Sequence, residues 1–320
     1  MSDEPAHRPR VLLPAALFAA TVLSVFYAGA TQHLPRSPES YVQVTFTLPG
    51  MLAALRTLGW ALGQGWRFAV PLLAILVTHE LGHFLLARHH RVPASLPMFV
   101  PFPNLLGTMG AIISMRPIGS RNALVDIGAA GPLAGLVLAI PITAVGLALS
   151  PVEPLAPGGL LEGDSLIYLL LKRLVCGPLP AGYDVQLHPF AFAGWVGLFM
   201  TMLNLLPVGQ LDGGHVTYAL FGPRADRWSR WFTGALLGYA LALAGYIALT
   251  TPLAQLSVDR FVPALIWGPW ALATRVLLRL SGDEHPPAGD DALTPARKAI
   301  ALLCLALFAL LFMPLPMRAG

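Results

Sequence analysis

His79, Glu80 and His83 form the pattern His-Glu-x-x-His. Two histidines four residues apart lie on one face of an α-helix, where both imidazoles can bind one zinc ion with the adjacent glutamate as a base. The pattern lies near the end of an apolar segment, and burying an ionisable residue in a membrane costs roughly 2.5–3.5 kcal/mol or more. Because a bound metal ion compensates that cost, we predict one zinc ion per chain, held by His79 and His83. The alternative is that both histidines only form hydrogen bonds within a helix bundle, which leaves Glu80 without a role.

Asp212 is the candidate for the third ligand that a tetrahedral zinc ion requires. It lies in residues 204–215, at the end of another apolar segment. Pro207 interrupts the helix before it, and we expect Asp212 to be the N-cap of a short apolar helix that runs to about Phe221. A capping aspartate in an ordinary turn is the alternative, and the pairing with the histidines on the same membrane face favours a ligand. His215 is either a neighbour of the metal site or a solvated side chain, and the sequence leaves both open.

The composition places these residues in an integral membrane protein. Of the 320 residues, 56% are hydrophobic and 11% are charged, whereas an ordinary soluble domain carries roughly 25% charged residues. So little charge cannot coat a soluble globule, and so much apolar sequence excludes a disordered chain. Cys176 and Cys304 are too few for a disulfide scaffold. The basic residues stand in short clusters between apolar segments, so no nucleic acid partner is expected.

Seven segments are long and apolar enough, or nearly so, for transmembrane helices of about 20 residues. They are residues 11–30, 66–87, 124–149, 190–206, 231–250, 261–278 and 299–316. The first segment has the flanks of a signal peptide, but its apolar core is too long for one, so we expect a retained anchor. Residues 164–176 are expected to form an interfacial or re-entrant helix. The fold class is therefore an all-α polytopic membrane protein with about six or seven transmembrane helices.

The basic residues predict the orientation of these helices, because cytoplasmic loops carry an excess of Lys and Arg. With a cytoplasmic N-terminus and seven spans, the principal clusters fall on the cytoplasmic side. They are Arg8, Arg10, Arg88, Arg91, Arg116, Arg121, Arg224, Arg227, Arg230, Arg275, Arg279, Arg297 and Lys298. The exceptions are Arg36, Arg56, Arg67, Lys172 and Arg173. The zinc pattern is expected near the cytoplasmic side, which lets water reach it.

Taken together, the motifs resemble those of the site-2 protease family of intramembrane zinc metalloproteases. The resemblance is carried by the His-Glu-x-x-His pattern and by Asn204-x-x-Pro-x-x-x-Leu-Asp212-Gly, with further similarity in residues 102–111 and 128–135. It covers about residues 66–221 and includes a three-helix catalytic core. It implies His79, His83 and Asp212 as zinc ligands, Glu80 as the catalytic carboxylate and Asn204 as a contact to the substrate or oxyanion.

The same resemblance implies an activity and partners. The activity is hydrolysis of peptide bonds within or near transmembrane segments of membrane proteins, that is, regulated intramembrane proteolysis. The expected partners are a transmembrane protein or peptide as substrate and the lipid bilayer, while the oligomeric state stays open. The expected type is compact and bacterial, without a PDZ or a CBS domain, in the inner membrane of the cell.

Residues 99–115, which follow the zinc helix, are predicted to form a small re-entrant β-hairpin that ends in the strand-like stretch 109–115. A substrate helix in lipid has all its carbonyls hydrogen-bonded internally, so it must be unwound before hydrolysis. The free edge of the hairpin could pair with the unwound substrate as an added strand. A plain cytoplasmic loop packed on the core is the alternative. A second strand-like stretch, residues 41–48, is expected on the outer side.

The chain is expected to have three parts. Residues 1–65 form an anchor helix and an outer-side segment, residues 66–222 the catalytic core with the zinc site, and residues 223–320 the C-terminal transmembrane helices.

Three further interpretations concern single residues. Gly128, Gly131 and Gly135 are assigned to helix packing without a chemical role, His89 and His90 to a solvated pair, and Trp228, Trp231, Trp267 and Trp270 to interfacial belts rather than a binding site.

Two other functions compete with this interpretation. A membrane zinc protease of the kind that processes prenylated proteins takes its third ligand from a later glutamate, here Glu153, Glu162 or Glu284, but all three are predicted in loops. A metal transporter or an inactive homologue is the other candidate. A transporter would place polar groups along a path across several spans, whereas here they cluster at one level.

Overall fold

The computed structural model describes residues 11–32, 48–155, 160–280 and 285–319. Arg8, Arg10, Arg36, Glu284 and the strand-like residues 41–47 lie outside these ranges. Leu48, at the end of that predicted strand, begins a helix instead. The helices are α1 (Leu12–Thr31), α2 (Leu48–Gln64), α3 (Trp66–His89), α4 (Arg121–Ala148), α5 (Leu166–Cys176), α6 (Pro189–Asn204), α7 (Asp212–Phe221), α8 (Arg224–Thr250), α9 (Val262–Leu280) and α10 (Pro295–Leu311). The strands are β1 (Met98–Pro101), β2 (Thr108–Ile112), β3 (Val152–Pro154), β4 (Leu160–Glu162), β5 (Tyr183–Val185) and β6 (Met317–Ala319).

Five helical stretches of the described chain are long and apolar enough to cross a membrane. They are Leu12–Thr31, Pro49–His89, Arg121–Ala148, Arg224–Thr250 and Val258–Leu280. The two remaining predicted spans are also helical, but α6 has 16 residues and α10 has 17. Most of α6 is buried inside the protein, so its length need not match the lipid. The predicted polytopic α-helical fold is confirmed.

The helices α3, α4 and α6 pack against one another as the predicted three-helix core. Small residues bring their backbones close, as is common between helices in membranes. A Cβ atom on Gly197 of α6 would lie 2.8 Å from Ile75 of α3, and one on Gly194 would lie 2.6 Å from the backbone nitrogen of Thr143 in α4. We call the end of the bundle that carries Arg91, where α3 finishes and α4 begins, the basic end, and the opposite end the outer end.

The strands β1 and β2 form the predicted hairpin. They are antiparallel, with Met98 opposite Ile112 and Phe99 opposite Ala111. Within the described residues each pairs with one strand only, so β2 has an unpaired edge. Strand β2, unlike β1, lines the cavities beside the metal centre described below.

The hairpin turn reaches into the depth of the bundle. Gly107, at φ +76°, lies against α1, where a Cβ atom would meet the Cα of Val25 at 2.5 Å. The hydroxyl of Ser24 also donates a hydrogen bond of 3.3 Å to the Phe102 carbonyl. Ser24 is twelve residues from the start of α1, which corresponds to about 18 Å along the helix. The turn of the hairpin therefore lies beside the middle of α1, which is the position expected of the predicted re-entrant hairpin.

At the outer end, α5 and the short strands β3 to β6 form a polar cap. The 11-residue helix α5 is the predicted non-spanning helix of residues 164–176. Its Lys172 is buried and lies 2.8 Å from Asp184 and 3.2 Å from Glu162. Lys172 thus has its charge neutralised locally, which explains why this basic residue lies at the outer end despite the orientation rule.

Candidate metal centre

Two imidazoles and one carboxylate converge between α3 and the start of α7. The Nε2 atoms of His79 and His83 are 3.1 Å apart. The Oδ2 atom of Asp212 lies 3.2 Å from Nε2 of His79 and 3.3 Å from Nε2 of His83. In the described part of the chain, this is the one group of three or more His, Cys, Asp or Glu side chains close enough to share a metal ion.

The spacing of these three atoms fits a zinc ion. Tetrahedral zinc with ligands at 2.0–2.1 Å holds neighbouring ligand atoms about 3.3 Å apart. The separations of 3.1–3.3 Å among His79, His83 and Asp212 agree with that geometry. Three protein ligands also leave the fourth position that a catalytic zinc site keeps open. The donor set and its spacing therefore make this a candidate zinc site.

Each ligand is placed by its own backbone. His79 and His83 are one helical turn apart on α3, on the face that packs against α4. Asp212 is the first residue of α7, while Leu211 occupies the N-cap position, so the predicted capping role of Asp212 is wrong. Its carboxylate faces the two imidazoles instead of the free N–H groups of its own helix.

The loop between α6 and α7 turns tightly to bring Asp212 back to α3. Gly209 has a φ of +53°, a left-handed conformation that glycine adopts without strain. Side chains on Gly213 and Gly214 would overlap the carbonyls of Leu205 and Gly209. Larger residues at these positions would therefore move Asp212 away from the histidines.

The glycines of α4 form the wall that the histidines lie against. A Cβ atom on Gly131 would overlap the His83 ring, and one on Gly135 would lie 3.3 Å from Nδ1 of His79. The Ile127 carbonyl is 2.8 Å from Nδ1 of His83, so it accepts that proton and leaves Nε2 for a metal. Sequence reasoning assigned these glycines to packing alone. The signal it overlooked is their spacing of four, which matches the spacing of the two histidines.

Glu80 and Asn204 lie beside the same cluster. The side-chain amide nitrogen of Asn204 is 3.1 Å from Nε2 of His79. Glu80 is only 7% exposed and lines one cavity together with the three candidate ligands. The structure thus brings together all five residues that the sequence singles out.

A cavity of about 550 Å³ connects the cluster with the basic end. Its walls include the end of β2 and the residues after it, the last two turns of α9, and Arg116 and His285 at the basic end. A second cavity of about 50 Å³ extends from the cluster in the opposite direction, towards Ile75 and Leu76 of α3. The larger cavity therefore links the cluster with the basic end of the bundle.

His215 is partly buried and contacts other protein side chains. Its Nδ1 atom lies 2.7 Å from Nε2 of His285, and the His285 ring stacks on Tyr218 at 4.2 Å between centroids. Burial and the neighbouring His285 lower the pKa of His215 to about 3, so this imidazole is neutral at pH 7. Of the two roles that the sequence leaves open, the structure selects the neighbour of the metal site.

Two other interpretations of aromatic and histidine residues need correction. His89 is exposed, but His90 lies 2.8 Å from the carboxylate of Asp126, which also binds Arg297. His90 is therefore part of an ion-pair network that links α3, α4 and α10, and not of a solvated pair.

Trp267 is fully buried and donates a hydrogen bond of 2.8 Å to the Pro314 carbonyl, so it is no interfacial belt residue.

The glutamates of the competing protease type lie elsewhere. Glu153 is exposed on β3 at the outer end. Glu162 is buried against Lys172 and accepts a hydrogen bond of 2.8 Å from the Tyr168 hydroxyl. Neither glutamate belongs to the metal cluster, and Glu284 lies outside the described residues. Asp212 is thus the acidic residue that accompanies the histidines.

The family profile described as Peptidase family M50 matches residues 67–245, which is more than half of the chain and contains the whole cluster. The chain belongs to peptidase family M50. This M50 chain is 34% identical over 312 residues to Probable zinc metalloprotease EGY1, chloroplastic, of Arabidopsis thaliana, an alignment that covers 93% of the chain and 52% of the relative.

Two more relatives agree with this M50 membership. The rice protein of the same name (Oryza sativa subsp. japonica) is 35% identical over 243 residues, which cover 73% of the chain and 42% of the relative. Probable zinc metalloprotease EGY2, chloroplastic, of Arabidopsis thaliana is 28% identical over 259 residues, or 80% of the chain and 42% of the relative. The M50 chain spans about half the length of these relatives or less. They are plant chloroplast proteins, so they do not support the expected bacterial inner membrane.

Proposed function

We propose that the protein is an intramembrane zinc metalloprotease that hydrolyses peptide bonds within or near transmembrane segments of other membrane proteins. The observation that carries the proposal is the convergence of His79, His83 and Asp212 on one point, with Glu80 on the wall of the same cavity. Membership of peptidase family M50 supports it. A zinc ion bound there supplies a Lewis acid for the scissile carbonyl and makes water more acidic.

Glu80 is the proposed general base and acid. A carboxylate in this position accepts the proton of the attacking water and later passes it to the leaving nitrogen. The amide of Asn204, which lies beside His79, is the proposed donor to the developing oxyanion. Removal of one such donor typically costs 10²–10³-fold in turnover.

The substrate is proposed to lie along the unpaired edge of β2. This strand borders both cavities of the metal centre, and its free backbone groups can pair with an extended peptide. A chain held in this way has exchanged its internal helix hydrogen bonds for bonds to β2. The carbonyls that point away from β2 are then free to face Glu80 and the candidate metal ligands instead of their own helix.

The metal centre is proposed to receive water from the basic end of the bundle, which the positive-inside rule identifies with the cytoplasmic side in a bacterial membrane. Arg116 stands at the mouth of the larger cavity. That the protein lies in the inner membrane of a bacterium is part of this proposal.

Replacement of Glu80 by Gln tests the function directly. We expect Glu80→Gln to keep one zinc ion per chain, measured by metal analysis of the purified protein. We expect it to lower cleavage of a single-span reporter by about 10²–10⁴-fold, the usual contribution of a general base. Glu153→Gln changes an exposed glutamate at the outer end and should alter neither quantity. If the Glu80→Gln variant cleaved the reporter as fast as the wild type, the proposal would be contradicted.

The third ligand is tested by two separate substitutions. Asp212→Ala should lose bound zinc and activity together, whereas Glu284→Ala should keep both. If Glu284→Ala lost zinc and activity while Asp212→Ala kept both, the competing type of membrane zinc protease would be favoured.

A further inference from the structure

The two cavities beside the metal centre differ about elevenfold in volume. Both are lined by His79, Glu80 and Asn204, so they meet at the reacting centre. The larger, of about 550 Å³, is open to the basic end, whereas the smaller, of about 50 Å³, lies one turn deeper along α3 beside Ile75 and Leu76. A peptide that crosses the centre therefore meets a wide space on one side and a narrow one on the other.

Strand β2 runs past both cavities. Its residues 109–111 border the small cavity, and the chain from Ala111 to Met115 borders the large one. Successive residues of an extended chain are about 3.3 Å apart, so a peptide beside β2 places residues on opposite sides of the scissile bond next to different cavities. The side chain nearest the small cavity must fit within it.

The walls of the small cavity include Gly110 of β2 and the side chain of Met200. Gly110 has a φ of +95°, and a Cβ atom there would lie 3.2 Å from the terminal methyl group of Met200. Trp270 of α9 forms another wall. A cavity of about 50 Å³ exceeds the 10–15 Å³ that a single water molecule needs, but it falls far below the roughly 300 Å³ of a typical ligand site. It has room for a side chain of about one or two heavy atoms.

We propose, on the basis of the proposed protease function, that the small cavity is a substrate subsite for a small side chain next to the scissile bond. Trp270 determines its specificity, because the ring forms a wall of the cavity and limits the size of the side chain. The substrate class is therefore membrane proteins with Gly, Ala or Ser on one side of the cleaved bond. The residue on the other side faces the large cavity and is not limited in size.

The test begins with the wild-type protein in detergent and a single-span reporter whose cleaved bond is mapped by mass spectrometry. Each of the two residues that flank this bond is then changed separately to Gly, Ala, Ser, Val, Leu and Phe, and kcat/KM is measured for every reporter. At one position, the change from Ala to Phe should lower kcat/KM by about 100-fold, in the range that pocket size can discriminate. At the other position, the whole series should vary by less than about tenfold.

Enzyme variants connect this preference to the cavity. Trp270→Ala and Met200→Ala enlarge the space, so the ratio of kcat/KM for Leu over Ala should rise at least about tenfold at the selective position. Trp231→Ala removes an indole that is 73% exposed on α8 and should leave the preference as in the wild type.

The outcomes separate the subsite from the proposed function. If Glu80→Gln cleaves as well as the wild type, or the wild type cleaves no reporter, the protease assignment fails and the subsite with it. If cleavage depends on Glu80 but both flanking positions accept Phe as well as Ala, the subsite alone is overturned. An unchanged preference in Met200→Ala and Trp270→Ala overturns it as well. The amount of bound zinc reports whether each variant is folded. If Trp270→Ala does not fold, the preference of Met200→Ala alone tests the subsite.

Discussion

At the scale of single residues, a glycine shapes the candidate metal centre beside the ligands themselves. Gly131 occupies the position where any side chain would overlap the ring of His83. The imidazole can therefore lie flat against α4 and still donate its Nδ1 proton to Ile127. A hydrogen bond from the ring nitrogen that does not bind the metal orients the imidazole and sets which nitrogen faces the metal.

Replacement of Gly131 by a larger residue should therefore weaken zinc binding, although all three candidate ligands are retained. We expect Gly131→Ala to lower zinc affinity by about 10–100-fold, as the loss of an orienting contact usually does. Titration of the metal-free protein with zinc against a competing chelator measures this. Gly238→Ala is a matched control, because a Cβ atom there has no neighbour within 4 Å. Equal zinc affinity in the two variants would show that α4 does not position His83.

At the scale of elements, the segment 285–294 ties the basic end together. Asp291 accepts hydrogen bonds from the backbone N–H of Arg121 at 2.8 Å and from the side chains of Ser120 and Asn122 at 2.9 and 2.6 Å. It thus satisfies N–H groups at the start of α4 that have no partner within the helix. A carboxylate is also favoured at a helix N-terminus by the helix dipole.

These contacts predict a dependence of stability on pH. Partial burial opposes ionisation of Asp291, but the hydrogen bonds from Arg121, Asn122 and Ser120 outweigh it and hold its pKa well below the usual value. A lowered pKa in the folded state stabilises the protein above the unfolded value of about 3.9, and this contribution is lost as the pH falls below it. Asp291→Asn should therefore be less stable than the wild type at pH 7, and the difference should shrink between pH 4 and pH 3.

Thermal unfolding in detergent measures this difference. We expect roughly 0.5–1 kcal/mol at pH 7, in the lower part of the range for a helix cap because the site is partly exposed. The neighbouring Asp290 is exposed, and Asp290→Asn should have no such effect. A constant difference between wild type and Asp291→Asn from pH 7 to pH 3 would contradict the assignment.

At the scale of the whole molecule, a polar layer lies at each end of an apolar bundle. The metal centre is reached from the basic end, while the outer end is closed by the cap around Lys172. Burial lowers the pKa of Lys172, but the neighbouring Glu162 and Asp184 outweigh burial and raise this pKa above its usual value. Lys172 therefore stays protonated at neutral pH. The last strand, β6, pairs with β4 in this cap, where Arg318 lies 3.6 Å from Asp164.

Removal of the buried cation should destabilise the whole fold. Lys172→Met leaves Glu162 and Asp184 near each other without a counter-charge, and breaking a buried ion pair in this way typically costs about 3–5 kcal/mol. Arg173→Met, which changes the exposed neighbour, should stay within about 0.5 kcal/mol of the wild type. The free energy of unfolding in mild detergent distinguishes the two variants. Similar values for both would mean that the cap is not held by this charge cluster.

The sequence by itself determined the class of the protein, most of the helical segments and the residues that the structure brings together as a candidate metal centre. Low charge, apolar segments of fixed length and the spacing of His79 and His83 act locally, so they can be recognised without a fold. The same holds for the β-hairpin, because its turn and strand residues are neighbours in the chain.

Only the tertiary structure decided what lies beside these residues. The pairing of His90 with Asp126, the contact of His215 with His285 and the position of Trp270 at a small cavity each join residues far apart in the sequence. Such contacts depend on how the helices are rotated and how deep each one lies, which hydropathy does not encode. For the same reason Gly131 could be assigned to packing from the sequence, but its role against His83 required the position of α3 relative to α4.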